Sequence, residues 1–231
     1  MRIGGLQRFT LIDFPGRVAA IVFTEGCNFR CPYCYNRELV VPEHYAEPIP
    51  EEEVLRFLES RRGQLEGVVI TGGEPTVQED LADFVRRVKD LGFLVKLDTN
   101  GSHPDAIARL LDAGLLDYIA MDIKAPLARY REITRSEIDE ATIRASVDLL
   151  MKGAVAHEFR TTVVREQLSL DEVVEIARGI FRGARRYALQ KFRATDSLVD
   201  PAFARCGTYT DAEFETLRRR IASLVQEVIV R

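Results

Sequence analysis

The chain has 231 residues, 46% of them apolar, and its 29% charged residues nearly cancel to a formal net charge of −4. That size and composition suit a well-filled core. The charge balance excludes the basic footprint of a nucleic-acid binder and a polybasic membrane surface. No apolar stretch has the length of a membrane span and no secretory leader pattern opens the chain, so a cytoplasmic protein is expected. Four cysteines in such a chain favour metal binding over disulfides.

The first sixteen residues, with Leu6, Phe9, Leu11, Ile12 and Phe14, read as an added hairpin or extended segment. Residues 17–231 read as one domain. The apolar run at residues 18–23 predicts a buried strand, and directly after it comes Cys27-Asn28-Phe29-Arg30-Cys31-Pro32-Tyr33-Cys34. Three thiolates at spacings of four and three can converge on one inorganic centre. They lack the fourth ligand of a closed zinc site or an ordinary cubane, which leaves one coordination position open for chemistry. Buried small thiols, or a structural zinc completed by His44 or Cys206, are the bland alternatives. Pro32 interrupts a helical reading and suits a loop wrapped round a cluster. Cys206, beside Gly207, reads as a free thiol.

A helix is expected after Pro50, with Glu51, Glu52 and Glu53 at its positive end. The run Val68-Val69-Ile70 predicts a strand ending at Thr71-Gly72-Gly73-Glu74-Pro75. Leu81, Phe84, Val85 and Val88 then recur at helical spacing. Residues 93–97 form the next expected strand, followed by Asp98-Thr99-Asn100-Gly101 and a helix through Ile107, Leu110 and Leu111. Residues 118–121 predict a strand ending in Asp122-Ile123-Lys124. After a polar connection comes a helix with Ile143, Val147 and Leu150. Strands at 156–164 and 185–192 flank a helix carrying Val173, Val174, Ile176 and Ala177. A loop over residues 196–207 and a closing helix marked by Leu217, Ile221 and Leu224 complete the chain.

Six strand–helix units imply a parallel sheet with right-handed crossovers. Six is fewer than the eight of a closed barrel, so an open, partial barrel is expected, with a doubly wound sheet as the alternative. All four polar motifs follow strand C-terminal ends, the edge at which parallel α/β folds bind ligands.

Each candidate has a structural alternative. Gly72 and Gly73 can end a strand through positive φ, or let a ligand approach the backbone. Glu74 can start a helix, or orient that glycine backbone or a bound amine. Asp98 suits an ammonium or a ribose hydroxyl, with Thr99 beside it, while Asn100 and Gly101 read as turn formers. Asp122 and Lys124 share one side of a period-two strand and can form a salt bridge or contact a ligand. Arg160 and Thr162 share one strand face, and Gln190 and Phe192 another; these are weaker candidates. Tyr33 packs in the core or on a ligand. His103 and His157 read as surface or capping residues.

The cysteine motif followed by Gly72-Gly73-Glu74-Pro75 resembles the radical S-adenosylmethionine (SAM) enzymes. Asp98-Thr99-Asn100-Gly101 and Asp122-Ile123-Lys124 look like the activating enzymes of glycyl-radical enzymes. The leader Thr10-Leu11-Ile12-Asp13-Phe14-Pro15-Gly16 is similar to the anaerobic ribonucleoside-triphosphate reductase activating proteins. Tyr35 stands where such activases often carry His, and Asn36 fits their pattern. No further CxxC repeat is present, so the ferredoxin-like insertion of some activases is absent.

The resemblance implies a partial (β/α)6 radical-SAM barrel and a [4Fe-4S] cluster held by Cys27, Cys31 and Cys34. SAM would chelate the fourth iron. One electron from the reduced cluster would break the sulfonium C5′–S bond, and the resulting radical would take an α-hydrogen from a glycine of a partner protein. The implied partners are an anaerobic ribonucleotide reductase and a low-potential electron donor such as flavodoxin or ferredoxin. Tyr33, Gly72, Gly73, Glu74, Asp98, Thr99, Asp122, Lys124, Arg160, Thr162 and Gln190 are the expected cosubstrate side. A small-molecule substrate for the same chemistry, or a non-catalytic metal-binding module, are the rival readings.

Overall fold

The computed structural model describes residues 1–231. Its eight strands follow one another in a single open sheet, in the order in which they occur along the chain. Helices flank the sheet, as in a partial (β/α) barrel. No helix is long and apolar enough to cross a membrane. The chain divides into two compact units, the first of residues 1–28, 36–99 and 105–119 and the second of residues 29–35, 100–104 and 120–231.

The first unit opens with β1 (Ile3–Thr10), which runs antiparallel to β2 (Ala19–Thr24). The N-terminal segment is therefore a hairpin arm. β2 is followed by the short α1 (Arg37–Val40) and by α2 (Glu51–Ser60), whose three leading glutamates sit at the positive end of its dipole. Then come β3 (Gly67–Gly72), α3 (Leu81–Asp90), β4 (Leu94–Thr99) and α4 (Pro104–Asp112). β2, β3 and β4 are parallel, with Ile21 opposite Val69 and Val69 opposite Lys96. Their residues are largely buried on both faces, which is why β2 and β3 read as apolar runs rather than as alternation, whereas β4 also buries Lys96. α3 turns Leu81, Phe84, Val85 and Val88 inward and leaves its charged residues outside.

β5 (Tyr118–Asp122) leads into the second unit, through α5 (Tyr130–Thr134), α6 (Glu140–Lys152), β6 (Ala156–Val163), α7 (Leu170–Gly179), β7 (Arg186–Lys191), α8 (Asp211–Ile221) and β8 (Glu227–Val230). β6, β7 and β8 are parallel. Reciprocal capping boxes start α7, from Ser169 and Glu172, and α8, from Thr210 and Glu213.

The sheet has two strands beyond the six expected, β1 and β8. Glu227–Val230 escaped the sequence reading because the closing helix was run on to Leu224, whereas α8 stops at Ile221. The connection between 122 and 140 is also not purely irregular, since it contains α5. His157 is no surface residue: it is partly buried, with its ring edge-on to Phe159 at 5.6 Å.

Candidate active site

In the first unit the end of β3 is shaped by close backbone approach. Gly72 adopts φ 119°, and a Cβ there would lie 2.4 Å from the Thr24 amide nitrogen. A Cβ on Gly73 would lie 2.0 Å from the Gly26 carbonyl oxygen. That proximity lets the Gly73 amide donate to Thr24 O at 2.8 Å and the Glu74 amide to Gly26 O at 2.7 Å. Residues 72–74 thus lie along 24–26, immediately before Cys27. Asn36 Nδ2 donates to the Gly72 carbonyl at 2.8 Å. Positive φ is found at Gly72 and not at Gly73, and at both glycines the close approach seen is by residues 24–26 of the chain itself.

Glu74 is buried, 1% exposed. Its Oε1 accepts from the Thr76 amide at 3.1 Å, the Thr76 hydroxyl at 2.5 Å and the Thr99 hydroxyl at 2.7 Å. The carboxylate therefore ties the glycine loop to the end of β4. On the same strand Lys96, almost fully buried, pairs with Asp98.

The second unit carries charge. Asp122 accepts from Lys124 Nζ at 2.9 Å through one oxygen and from Arg160 Nε at 2.7 Å through the other. Burial alone would raise the Asp122 pKa. The Arg160 guanidinium and the Lys124 ammonium outweigh it and hold the carboxyl well below its usual range. Lys124, opposed by its own burial, is held well above its usual value by Asp122 first, then by Tyr33 and Cys31. The salt bridge weighed for Asp122 and Lys124 is present, and Arg160 makes it a triad.

Tyr130 fixes this turn. It is buried, accepts from the Lys124 amide and donates to the Asp122 carbonyl, each at 3.3 Å. Its ring meets Phe29 edge-on at 6.3 Å. Sequence reading missed Tyr130, which sits in a connection without a motif. It also passed over Thr76, whose role appears only once Glu74 is seen folded back on it.

None of the four cysteines is in a disulfide. Cys27 lies in the first unit; Cys31 and Cys34 lie in the second, one turn apart, with the Cys34 amide on the Cys31 carbonyl at 3.1 Å. Burial pushes the Cys31 thiol up to about 11, and Lys124 pulls it back. Tyr33 is 4% exposed and its hydroxyl is buried without a hydrogen-bond partner. Burial, then the Cys31 thiol, raise its pKa well above normal.

Tyr35 stacks on Phe192 at 5.9 Å and accepts from the Arg193 amide at 2.8 Å. Thr162 and Gln190 are register partners on β6 and β7, with the hydroxyl 3.4 Å from the amide oxygen. Asn100 accepts from the Ser102 amide at 2.9 Å and the Gly101 carbonyl accepts from Ser146 at 2.6 Å. No group of three or more His, Cys, Asp or Glu side chains is arranged to hold a single metal ion.

Residues 21–180 match the family model of the radical SAM superfamily. The chain belongs to the radical SAM superfamily. A protein of Methanocaldococcus jannaschii, provisionally named a glycyl-radical enzyme activating enzyme, is 31% identical over 234 residues, covering 99% of this chain and 95% of its own. A second protein of that organism with the same kind of name is 30% identical over 182 residues, covering 76% of this chain and 67% of its own. Among solved structures, Streptococcus suis SuiB has the same fold at 12% identity, with a TM-score of 0.67 over 91% of this chain. The chain spans about half, 48%, of SuiB. This is a radical SAM enzyme with the catalytic fold of that superfamily, related to the glycyl-radical activases.

Proposed function

We propose that this radical SAM enzyme reductively cleaves S-adenosylmethionine and installs a glycyl radical in a partner enzyme, an anaerobic ribonucleoside-triphosphate reductase. The observation that carries the reading is the near end-to-end likeness to a protein named as a glycyl-radical activase. The leader at residues 10–16 supports the reductase as the partner, with a flavodoxin or ferredoxin as reductant.

The donor set suits a [4Fe-4S] cluster. Cys27, Cys31 and Cys34 are soft thiol ligands without disulfides. In a cubane each thiolate would bind its own iron, so three cysteines can serve it without closing on one ion. Lys124 offers positive charge to the Cys31 thiolate. When bound, the cluster supplies one electron to the sulfonium of the cosubstrate it chelates.

The remaining roles fall to the chain's own side chains. Lys124 and Arg160 present two cations against the one carboxylate of Asp122, which leaves a net positive charge for the methionyl carboxylate. Tyr33 has a hydroxyl ready to donate to a bound group. Glu74 holds Gly72 and Gly73 in shape through Thr76, and Thr99 acts through Glu74. Asp98, Thr162 and Gln190 serve the ribose and adenine side.

The test is electron paramagnetic resonance of the reductase after incubation with this protein, a reductant and S-adenosylmethionine. The expected signal is a doublet that collapses when the partner's glycine is α-deuterated. Fast cleavage with a small metabolite instead, with that metabolite's deuterium entering 5′-deoxyadenosine, would replace the reading with a small-molecule radical SAM enzyme.

A further inference from the structure

In the second unit the cysteine loop is hung in a closed circuit of hydrogen bonds that no cysteine takes part in through its sulfur. The Arg30 amide donates to the Thr134 carbonyl at 2.9 Å, at the C-terminal end of α5. Two loop carbonyls are held from the segment after β7: the Asp200 amide donates to Pro32 O and the Val199 amide to Cys34 O, each at 3.0 Å. The Asp200 carboxylate closes the ring, accepting from Arg135 Nη2 at 2.6 Å and from the Ala202 amide at 3.0 Å. Leu198, fully buried, anchors the segment. The far end of the loop expected over residues 196–207 is tied as well. Gly207 N reaches Glu166 at 2.9 Å and Thr208 Oγ1 reaches Val163 O at 2.9 Å.

Arg135 is the one residue other than glycine with positive φ, at 48°. A left-handed arginine costs about 1–2 kcal/mol, which a glycine would avoid. Stability alone gives no reason for arginine here: the side chain is 49% exposed, where an ion pair adds little. What the arginine does achieve is a fixed direction for Asp200, and so for the two amides that grip Pro32 and Cys34.

We infer that Arg135 and Asp200 are positioning residues for the cluster-binding loop, setting the placement of Cys31 and Cys34 through the 199–200 backbone. The inference rests on the reading of residues 27–34 as a cluster loop. A merely structural latch and a positioning latch differ in what Arg135→Gly does. Relief of the left-handed strain offsets the lost ion pair, so apo-protein thermal stability should be unchanged or higher. The reconstituted holoprotein should nevertheless release iron to a chelator about ten-fold faster than wild type, the worth of one charge-assisted hydrogen bond. The reduced cluster should also show a broadened electron paramagnetic resonance line.

Asp200→Asn should do the same, and Arg135→Lys, which restores a cation on the same backbone, should recover most of the retention. Lys152→Ala, which removes an exposed pair with Asp148 on α6, is the control and should match wild type. Wild-type release rates and line shapes in both Arg135→Gly and Asp200→Asn would overturn the positioning role while leaving the cluster reading intact. A wild-type protein that takes up no iron and sulfide on anaerobic reconstitution would overturn both.

Discussion

The Gly-Gly-Glu-Pro loop of the first unit and the Asp-Ile-Lys turn of the second both follow a parallel strand, yet they are built from opposite materials. The first is a matter of volume. Two glycines let residues 72–74 lie against 24–26, and one buried carboxylate gathers two hydroxyls and an amide. The second is a matter of charge: Asp122 stands between Lys124 and Arg160, on a turn clamped by Tyr130. A shape-built element should fail on added bulk and tolerate changed charge. A charge-built element should do the reverse.

The largest effect is expected in the cysteine loop, residues 27–34. Cys27→Ala, Cys31→Ala or Cys34→Ala should each abolish the cluster, because a three-thiolate holder that loses one ligand no longer retains a cubane. Cys206→Ala should keep wild-type iron and sulfide, since that residue lies on the tied C-terminal segment. Full iron content in any of the first three would remove it from the ligand set.

Next comes the shape-built side. Gly73→Ala places a methyl 2.0 Å from the Gly26 carbonyl oxygen, a backbone atom that no rotamer change can move aside. Overpacking of this kind should cost about 3 kcal/mol, read as a lower urea midpoint of the apoprotein. A shift below about 0.5 kcal/mol would mean that the 24–26 backbone yields, and that volume does not define this loop.

The charge-built side should respond in binding. Lys124→Ala leaves Asp122 its 2.7 Å bond to Arg160, so apoprotein stability should change little. Affinity for S-adenosylmethionine should fall about ten-fold, the loss of a charge-assisted contact. Asp98→Ala should lose stability as well as affinity, because Asp98 is also the partner of a lysine that is only 2% exposed. Removing one member of a buried pair costs about 3 kcal/mol of stability. Titration calorimetry of the holoprotein and urea melts of the apoprotein separate the two. Wild-type stability in Asp98→Ala would erase the distinction.

This contrast also explains what the sequence could and could not reveal. Buried parallel strands announce themselves as apolar runs, so six of the eight are visible; β8 is short and follows the closing helix without a strong turn signal. The glycine motif was legible as a need for close approach, but not as to what approaches, since Thr24 and Gly26 lie almost fifty residues earlier. Asp122 and Lys124 were legible as a pair by period two. Arg160 became their third member only through β6, and Tyr130 carries no motif at all. Local spacing encodes which side chains share a face; it does not encode which distant backbone or hydroxyl completes them.

The smallest effect is the most discriminating for Glu74. Thr99 Oγ1 donates to Glu74 Oε1 at 2.7 Å, and Thr99→Val deletes that bond at nearly constant volume. Glu74 keeps its bonds from the Thr76 amide and hydroxyl, so the loop should stay formed. The expected loss is about 1.5 kcal/mol of apoprotein stability, the value of one hydrogen bond to a charged group. Thr99→Ser, which keeps the hydroxyl, should return most of it. If Thr99 acts through Glu74, affinity for S-adenosylmethionine should change less than about three-fold in both variants, under 0.7 kcal/mol. A ten-fold loss of affinity in Thr99→Val with wild-type stability would make the hydroxyl a direct ligand contact, and the first unit would then present more than shape to its cosubstrate.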